Sequence, residues 1–374
     1  MTTIATPSGL TATVVNGNSV KLDWVDNSTN EQGFLIERKT TGDYTLLAVV
    51  AANVITYTDA TVVADTGYYY RLRGYLTESN AYIYVDKFGS GLSWLGPEGI
   101  HISADGTYLY LSDTGNNRIR KYLKASPYTV QGGNWPIGGS GTGNGQFSAP
   151  KGVFDSSSYI FVCDSGNDRI QKFTMSGVYE AKIGSNGTGN DQFKSPCGIV
   201  ASGGNLYITD RDNHRIHKRD TSNSLAYVAK FGSPGSGNGE FNEPYGIDVD
   251  TDFIYVCDKN NNRVQVFNIA SPFGYVGQFG SLNSSGVAGS ITDNGRLQLP
   301  TGIVVYGSYL YVTDRSNERI QIFQKAPPYT YVGKTGTAGS GNGQFVNVYG
   351  IDVEASKIYA VDADNARVTI FNNS

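Results

Sequence analysis

From about residue 89 onward, short apolar runs alternate with polar turn residues, and one polar phrase follows the apolar run six times. Each copy reads as an apolar strand, Asp, two residues, Asn, one residue, Arg, and then Ile or Val. Short strands divided by Gly, Asn and Asp turns at a long fixed period are typical of propeller blades. No stretch keeps the 3.6-residue apolar period of a helix. The pattern therefore predicts an all-β region with essentially no helix.

Two further phrases accompany the repeats. Pro-x-Gly and then Ile or Val precede each Asp, with Val348 in place of the proline in the sixth copy. Glycine-rich loops ending in Gln-Phe or Glu-Phe precede several copies, as at Phe147 and Phe345. Each repeat is predicted to form four strands: one after Pro-x-Gly, one before Asp, one at Arg-Ile, and a fourth like YVAKFGS at 227–233.

The sixth repeat ends at Phe371, after its third predicted strand. A phrase similar to the fourth strand, YVDKFGS, stands ahead of the first repeat at 84–90. We expect this segment to complete the last blade and close the ring, because closure leaves no unpaired strand edge between blades. Residues 84–374 are thus predicted to form a six-bladed β-propeller closed by an N-terminal strand.

Residues 1–83 lack the repeat but contain short alternating strands, among them VKLDWV, GFLIERK and YYYRLRGY. About 80 residues with this spacing favour a β-sandwich. No Gly/Ser- or Pro-rich linker separates it from residue 84, so a rigid connection is expected.

The two regions resemble known families. Residues 3–83 resemble a fibronectin type III domain through Pro7, Trp24 in KLDW, FLIERK at 34–39 and TYTD before YYYRLR at 56–73. That resemblance implies a core Trp24 and a corner hydrogen bond from Tyr68 or Tyr70. Residues 84–374 resemble NHL-repeat propellers through the ordered Pro-x-Gly-Ile, D-x-x-N-x-R-I and glycine-loop phrases. The resemblance implies ligand binding through the loops of one face, and it names no partner.

Composition narrows the partners. The chain has 47 Gly and 26 Tyr, but charged residues make up only 17% and the net charge is −4. A strongly basic surface is excluded, so a nucleic-acid partner is not expected. No leader-like start and no apolar run of about 20 residues is present, so membrane insertion is not expected either.

The Asp and Arg of the repeated phrase recur six times, which favours a structural role over a single active site. An Asp at a tight turn can accept hydrogen bonds from the nearby backbone, and a nearby Arg can form a fixed ion pair with its carboxylate. The predicted structural residues are Asp113, Arg118, Asp164, Arg169, Asp210, Arg215, Asp258, Arg263, Asp314, Arg319, Asp362 and Arg367.

Catalytic chemistry has few candidates. His101, His214 and His217 are the only histidines, and their predicted places do not converge on a metal site. No nucleophile-elbow or phosphate-loop motif occurs. The sequence therefore predicts a protein that is not an enzyme, with no catalytic residue, no metal and no cofactor. Calcium was weighed for the alternating Asp248, Asp250 and Asp252 and for Asp362 and Asp364, but solvated faces are the commoner explanation of such a pattern.

Binding residues are best sought where the repeats differ. The residue after the motif Asp is a cation in three successive repeats, at Arg211, Lys259 and Arg315. The residue between Pro (or Val348) and Gly is Tyr245 in the fourth repeat and Tyr349 in the sixth. Exposed tyrosines beside cations suit acidic glycans or protein partners. These five residues are predicted to form a ligand patch at the channel mouth.

The function that follows is a binding or structural protein, displayed at a cell surface or on a virion as an adhesion, decoration or assembly component, with a protein or carbohydrate partner. Assembly into a larger particle or homo-oligomer would fit this role. Two alternatives stay open: an intracellular, cytoplasmic NHL scaffold that binds protein or RNA, and a propeller lyase or hydrolase.

Overall fold

The computed structural model describes residues 7–27, 33–41, 45–51, 53–75, 82–89, 91–221, 225–281 and 294–373. The chain divides into two compact units, Met1–Asp86 and Lys87–Ser374, which meet slightly beyond the predicted boundary at residue 83. Within these ranges the only helical elements are short 3₁₀ turns, Thr114–Asn116, Ser165–Asn167, Arg211–Asn213, Lys259–Asn261 and Arg315–Asn317. No helix in the described part of the chain is long and apolar enough to cross a bilayer.

The first unit contains two three-stranded antiparallel sheets in its described part. The strands, in spatial order, are Ser8–Asn16, Ser19–Val25 and Thr56–Asp59 in one sheet, and Thr45–Ala51, Gly33–Lys39 and Tyr69–Tyr75 in the other. Because alternate strand residues face the same side, Leu22 and Trp24 share a core with Phe34 and Ile36 of the other sheet. The rings of Trp24 and Phe34 lie edge to face, with centroids 5.7 Å apart.

A tyrosine hydrogen bond lies near the start of the last strand of this unit. Of the two residues considered in the sequence, Tyr68 accepts a hydrogen bond on its Oη from the backbone N–H of Val63, at 3.1 Å. Tyr70 instead donates to Oδ2 of the fully buried Asp59, at 2.8 Å. Tyr68 therefore makes the corner-type bond to the backbone, and Tyr70 helps to satisfy a buried carboxylate.

The second unit is built from four-stranded antiparallel sheets, of which the described residues form six. We number them by the order of their first strands. Sheet 1 consists of Ile100–Ile102, Tyr108–Asp113, Arg118–Leu123 and Ile137–Gly138. Sheet 2 consists of Pro150–Asp155, Tyr159–Asp164, Arg169–Thr174 and Tyr179–Ile183. Sheet 3 consists of Pro196–Ser202, Asn205–Asp210, Arg215–Asp220 and Tyr227–Phe231.

Sheets 4 to 6 follow the same order, but the fourth strand of sheet 6 comes from a segment that precedes sheet 1. Sheet 4 consists of Pro244–Val249, Phe253–Asp258, Arg263–Asn268 and Tyr275–Phe279. Sheet 5 consists of Pro300–Tyr306, Tyr309–Asp314, Arg319–Gln324 and Tyr331–Thr335. Sheet 6 consists of Val348–Val353, Lys357–Asp362, Arg367–Asn372 and Tyr84–Phe88. Two small parallel pairs, Ser233–Pro234 with Glu240–Phe241 and Thr337–Ala338 with Gln344–Phe345, lie in the connecting loops. The first strands of sheets 2 to 5 begin at the proline itself, three residues earlier than the sequence predicted. Ser90, the last residue of the predicted closing phrase, lies outside the described residues.

The first strands of the six sheets contact one another in sequence, and that of sheet 6 contacts that of sheet 1. The glycine of Pro-x-Gly makes this approach possible. A Cβ on Gly99 would lie 2.1 Å from the carbonyl oxygen of Lys151 in sheet 2, and a Cβ on Gly350 would lie 2.5 Å from that of Glu98 in sheet 1. The four glycines between them meet the next sheet in the same way, at 2.2–2.6 Å. Any side chain at these positions would force neighbouring strands apart.

A second set of glycines follows the fourth strand of each sheet, with positive φ from +87° to +119°. Each packs its α-carbon against a large loop side chain; the pairs are Gly89–Trp94, Gly138–Phe147, Gly184–Phe193, Gly232–Phe241, Gly280–Leu297 and Gly336–Phe345. Trp94 thus occupies the place of the repeated Phe, a correspondence that the sequence phrases did not reveal. Phe88 also stacks on Tyr128, with centroids 4.6 Å apart, as Phe279 stacks on Tyr329 at 5.3 Å.

Candidate ligand site at the channel mouth

The repeated Asp and Arg form an ion pair in every sheet. Arg Nε lies 2.6–2.8 Å from Asp Oδ2 in all six, and each of these Asp side chains is fully buried. Asp258 illustrates the full set of partners, since it also accepts hydrogen bonds from Asn261 Nδ2, Gln265 Nε2 and the backbone N–H of Asn242. A carboxylate so completely occupied is not available to a ligand.

The varied position of Pro-x-Gly lines one end of the central channel. There the first strands surround a recess of about 540 Å³, counted with the space open to solvent, whose walls include Glu98, Lys151, Cys197, Tyr245 and Thr301. Beneath them lie the six glycines, and below these six aliphatic side chains, Ile100, Val153, Ile199, Ile247, Ile303 and Ile351. The repeat thus places one of its variable positions at the mouth of the channel.

Three of these side chains are joined across the channel. Lys151 Nζ lies 2.8 and 2.6 Å from the two carboxylate oxygens of Glu98 and 2.9 Å from Tyr245 Oη, and the Tyr245 hydroxyl donates to Glu98 Oε2. Burial and the nearby Glu98 charge hold the pKa of Tyr245 well above its ordinary value. The sequence treated Tyr245 as exposed, which is wrong: its side chain is turned into the channel and only 8% of the residue is accessible.

The five residues predicted to form a ligand patch lie together at this mouth. The Tyr245 and Tyr349 ring centroids are 6.1 Å apart. Lys259 Nζ lies 5.7 Å from the Tyr245 ring centre, and the guanidinium carbon of Arg315 lies 4.6 Å from that of Tyr349. Arg211 lies near the Cys197 and Tyr245 side chains.

The three cations differ in how they are neutralised. Arg211 Nε lies 2.6 Å from Asp212, and Lys259 Nζ lies 2.9 Å from Glu243. Arg315 donates from Nε to the neutral Asn347 side chain at 3.1 Å. Its two terminal nitrogens have no acceptor, and no carboxylate lies within ion-pair distance, among the residues that the structure describes. Arg315 is therefore the cation of this patch that is ready to accept an anion.

The opposite end of the channel carries a second recess of about 430 Å³, lined in part by His101, Phe154, Asp248 and Asp352. His101 Nε2 lies 2.8 Å from Asp155 Oδ1, and Nδ1 lies 3.2 Å from Asp352 Oδ2. Burial alone would lower the pKa of His101, but the hydrogen bonds to Asp155 and Asp352 outweigh it and raise the pKa to about 9. With both ring nitrogens donating, His101 has no lone pair for general-base chemistry at neutral pH.

No set of three or more His, Cys, Asp or Glu side chains with the geometry of a metal site occurs in the described ranges. Of the aspartates weighed for calcium, Asp250 accepts from the backbone N–H groups of Asp252 and Phe253 and pairs with Lys325, and Asp362 pairs with Arg367. The three cysteines are buried and unpaired. Burial raises the pKa of Cys197 to about 11, so its thiol stays protonated at neutral pH.

Comparison with known proteins assigns the repeats. The NHL repeat family matches residues 193–218 and 241–267, which contain the motifs of sheets 3 and 4. Two of the repeats therefore match the NHL repeat, and the fold is a β-propeller. The LVIVD repeat family also matches residues 301–319, in sheet 5. No curated protein matches the chain.

Several solved structures share the fold at low sequence identity. An auxiliary nutrient binding protein from Bacteroides thetaiotaomicron is 13% identical, with a TM-score of 0.55 over 95% of this chain and 94% of its own. A gluconolactonase from Xanthomonas campestris is 13% identical, with a TM-score of 0.54 over 75% of this chain and 87% of its own. A catalytically inactive virginiamycin B lyase from Staphylococcus aureus, solved with quinupristin, is 14% identical, with a TM-score of 0.51 over 100% and 97%.

These structures correct one prediction from the sequence. The chain was expected not to be an enzyme, yet structures of this fold include a lyase and a gluconolactonase, and this finding contradicts the expectation. The prediction rested on missing motifs and few histidines. Side chains from different sheets meet in a propeller channel, so a short linear motif is not required for chemistry there.

Proposed function

We propose that the chain is a fibronectin type III-like sandwich followed by a six-bladed NHL propeller, closed by the strand Tyr84–Phe88, that binds an acidic glycan at the channel mouth. One observation carries the binding proposal: Arg315 has two terminal nitrogens without an acceptor among the described residues and stacks on Tyr349, beside Tyr245. We call Arg315, Tyr349 and Tyr245 the mouth triad.

The chemistry of the mouth triad fits a sugar that carries a carboxylate. A guanidinium with two terminal nitrogens pointing the same way binds a carboxylate in a bidentate manner, and the aromatic face beneath it fixes the plane of the guanidinium. The half-buried Tyr349 offers a ring face to a pyranose and a hydroxyl to its polar edge, and the buried Tyr245 ring supports it from the channel side.

The setting of the proposal is display on a cell surface or virion, where a propeller held by a sandwich domain would contact glycans. The six-blade arrangement is supported by the six four-stranded sheets and the successive contacts of their first strands. Closure by Tyr84–Phe88 is supported by the Gly89–Trp94 and Phe88–Tyr128 contacts, which resemble those between the other sheets.

The test is a glycan array probed with the full chain, followed by calorimetric titration of the strongest hit and its neutral analogue. We expect uronic-acid or sialic-acid glycans to bind and the matching neutral glycans to bind far more weakly. Arg315→Ser should weaken binding by roughly ten- to a hundredfold, the usual worth of a charge-assisted hydrogen bond pair. Arg211→Ser and Lys259→Ser should have smaller effects, because Asp212 and Glu243 already neutralise these cations.

Lys182→Ser removes one positive charge from the exposed outer strand of sheet 2 and serves as the control for net charge. If Lys182→Ser and Arg315→Ser weaken binding equally, the mouth triad is not the site. If acidic peptides bind and glycans do not, the ligand is a protein and the glycan proposal is wrong. Mass analysis of the recovered glycan in the same experiment detects cleavage or elimination.

A further inference from the structure

Three connecting loops share the sequence Gly-x-Gly-Asn-Gly and the same backbone. They contain Asn144-Gly145 before sheet 2, Asn238-Gly239 before sheet 4 and Asn342-Gly343 before sheet 6. The glycines have φ of +76°, +80° and +71°. Asn-Gly pairs are chemically special, because the glycine amide has no side chain to hinder its approach to the asparagine side chain.

The glycine amides differ in one contact. Gly145 N–H donates to Gln171 Oε1 at 2.9 Å, and Gly239 N–H donates to Gln265 Oε1 at 3.0 Å. Both glutamines are fully buried and also donate to the motif Asp of their own sheet. In two of the three loops, a fixed side chain therefore holds the glycine amide.

Thr369 takes the place of this glutamine in sheet 6. It is fully buried, its side chain is too short to reach the loop, and its Oγ1 has no hydrogen-bond partner. Among the described residues, the Gly343 N–H has no acceptor. The third loop thus has the same backbone as the other two and lacks the hydrogen bond that holds its glycine amide.

We propose that Asn342 is a site of spontaneous deamidation in the folded protein, and that Gln171 and Gln265 protect Asn144 and Asn238 from the same reaction. The Gly343 nitrogen loses its proton to solvent base and attacks Cγ of Asn342. A C–N bond forms, the bond from Cγ to Nδ2 breaks, and ammonia leaves. Water then opens the succinimide at either carbonyl, so that one water is consumed and one ammonia released for each Asp or isoaspartate formed.

A hydrogen bond to a buried glutamine opposes this reaction in two ways. It lowers the tendency of the amide to lose its proton, and it must break before the nitrogen can turn toward Cγ. Breaking one such bond slows the reaction roughly tenfold, given the usual net worth of a hydrogen bond. Asn144 and Asn238 are more exposed than Asn342, so solvent access alone would give the opposite order of rates.

The experiment follows the intact folded chain at pH 8.5 and 37 °C for several weeks, with circular dichroism to verify that it stays folded. Aliquots are digested at acidic pH, and the deamidated fraction at each asparagine is read by mass spectrometry. We expect Asn342 to react roughly tenfold faster than Asn144 and Asn238. Equal rates at the three sites would overturn the proposal.

Two exchanges of side chains between sheets isolate the cause. Thr369→Gln should supply the missing acceptor and slow Asn342 to the rate of Asn144. Gln171→Thr should remove the acceptor from Gly145 and accelerate Asn144 while leaving Asn238 unchanged. If Thr369→Gln leaves the rate at Asn342 unaltered in a protein that unfolds at the same or higher urea concentration, the glutamine does not protect, and the proposal fails.

Discussion

In each propeller repeat, the Asp and Arg of D-x-x-N-x-R behave differently from the residue between Pro and Gly. The Asp and Arg of D-x-x-N-x-R are identical in six sheets and pair with one another, and the Asp is fully buried in every sheet. The residue between Pro (or Val348) and Gly has five identities in six sheets, and in five of the six sheets it lines the channel mouth. The difference teaches that the repeat separates its positions: the uniform residues stabilise the ring, and the residues beside them vary without disturbing it.

The largest effect is expected from breaking the uniform position. Asp258→Ala leaves the buried Arg263 without its carboxylate and removes an acceptor from three further donors. We expect the free energy of unfolding to fall by about 4 kcal/mol, the usual cost of orphaning a buried charge. Urea titration followed by tryptophan fluorescence measures it.

If the uniform and varied positions have separate roles, Arg315→Ser at the mouth should change the urea midpoint little. The folded fraction of Asp258→Ala should also bind the glycan like the unaltered protein. A binding defect in Asp258→Ala that survives correction for unfolding would show that the uniform position also contributes to recognition.

A second substitution asks whether the uniform scaffold includes the strand Tyr84–Phe88. Phe88 packs on Trp94, Tyr122 and Tyr128, and Phe279 packs on Phe323 and Tyr329 in an ordinary junction between sheets. Phe88→Ala and Phe279→Ala should therefore each cost about 3 kcal/mol, the usual penalty for emptying a buried aromatic site. If Phe88→Ala costs less than about 1 kcal/mol while Phe279→Ala is severe, the strand does not close the ring.

The third prediction concerns a varied position whose role is structural. His101 has an ordinary pKa of 6.5 and a pKa of about 9 in the folded protein. Its contribution to stability is therefore complete below pH 6.5 and is lost as the pH rises through 9. Burial raises the pKa of Asp248 to about 7, so its contribution is likewise lost as the pH rises, from about pH 4 to pH 7.

We expect the free energy of unfolding to fall by about 2 kcal/mol between pH 6 and pH 9.5. His101→Asn should be less stable at pH 6 and should lose the alkaline part of this slope. Urea titrations at several pH values measure both quantities. If the free energy of unfolding of the unaltered protein stayed constant over this pH range, the hydrogen bonds from His101 to Asp155 and Asp352 would be contradicted.

The smallest effect is expected at a position where one sheet carries a different residue from the glutamine of its neighbours. His217 stands in sheet 3 where Gln171, Gln265 and Gln321 bridge the motif Asp to the glycine loop. His217 Nε2 lies 3.3 Å from Oδ2 of the motif Asp210 without the geometry of a hydrogen bond, and Nδ1 has no partner among the described residues. Burial lowers the pKa of this histidine. His217→Gln should stabilise the propeller by about 1 kcal/mol by completing the bridge. An unchanged or lower urea midpoint would mean that the cavity around His217 is shaped for the imidazole.

Much of the scaffold followed from the sequence because its determinants are local and repeated. The apolar strand, the Asp turn and the Arg strand lie within a dozen residues of one another, so the phrase D-x-x-N-x-R was enough to predict two strands of each sheet. The phrase Pro-x-Gly marked a third strand. The likeness of YVDKFGS to YVAKFGS was enough to suggest a strand far from its sheet in sequence. Trp94 was missed because it replaces a phenylalanine in a shortened loop, where no sequence phrase marks the equivalence.

The site was less predictable because its contacts join distant repeats. Glu98 and Tyr245 share a hydrogen bond although they lie in sheets 1 and 4, and His101 meets Asp352 across the junction of sheets 1 and 6. The sequence placed the varied residues at the mouth, but it had no means of showing that Lys151 and Glu98 draw Tyr245 inward. Nor did it distinguish Arg315 from Arg211 and Lys259, since the neutralising Asp212 and Glu243 are recognised only from distances.

The six aliphatic side chains beneath the mouth have a kinetic consequence. Ile100, Val153, Ile199, Ile247, Ile303 and Ile351 border both recesses, and each is only 4–8% accessible. A solute passing from one recess to the other would have to shed its hydration between these six side chains. The recess at the mouth is therefore accessible from one end only. A ligand bound at the proposed site would have to leave by the route it entered, and a second ligand would have to wait for it. Residence time, more than affinity, then sets how quickly one partner is exchanged for another.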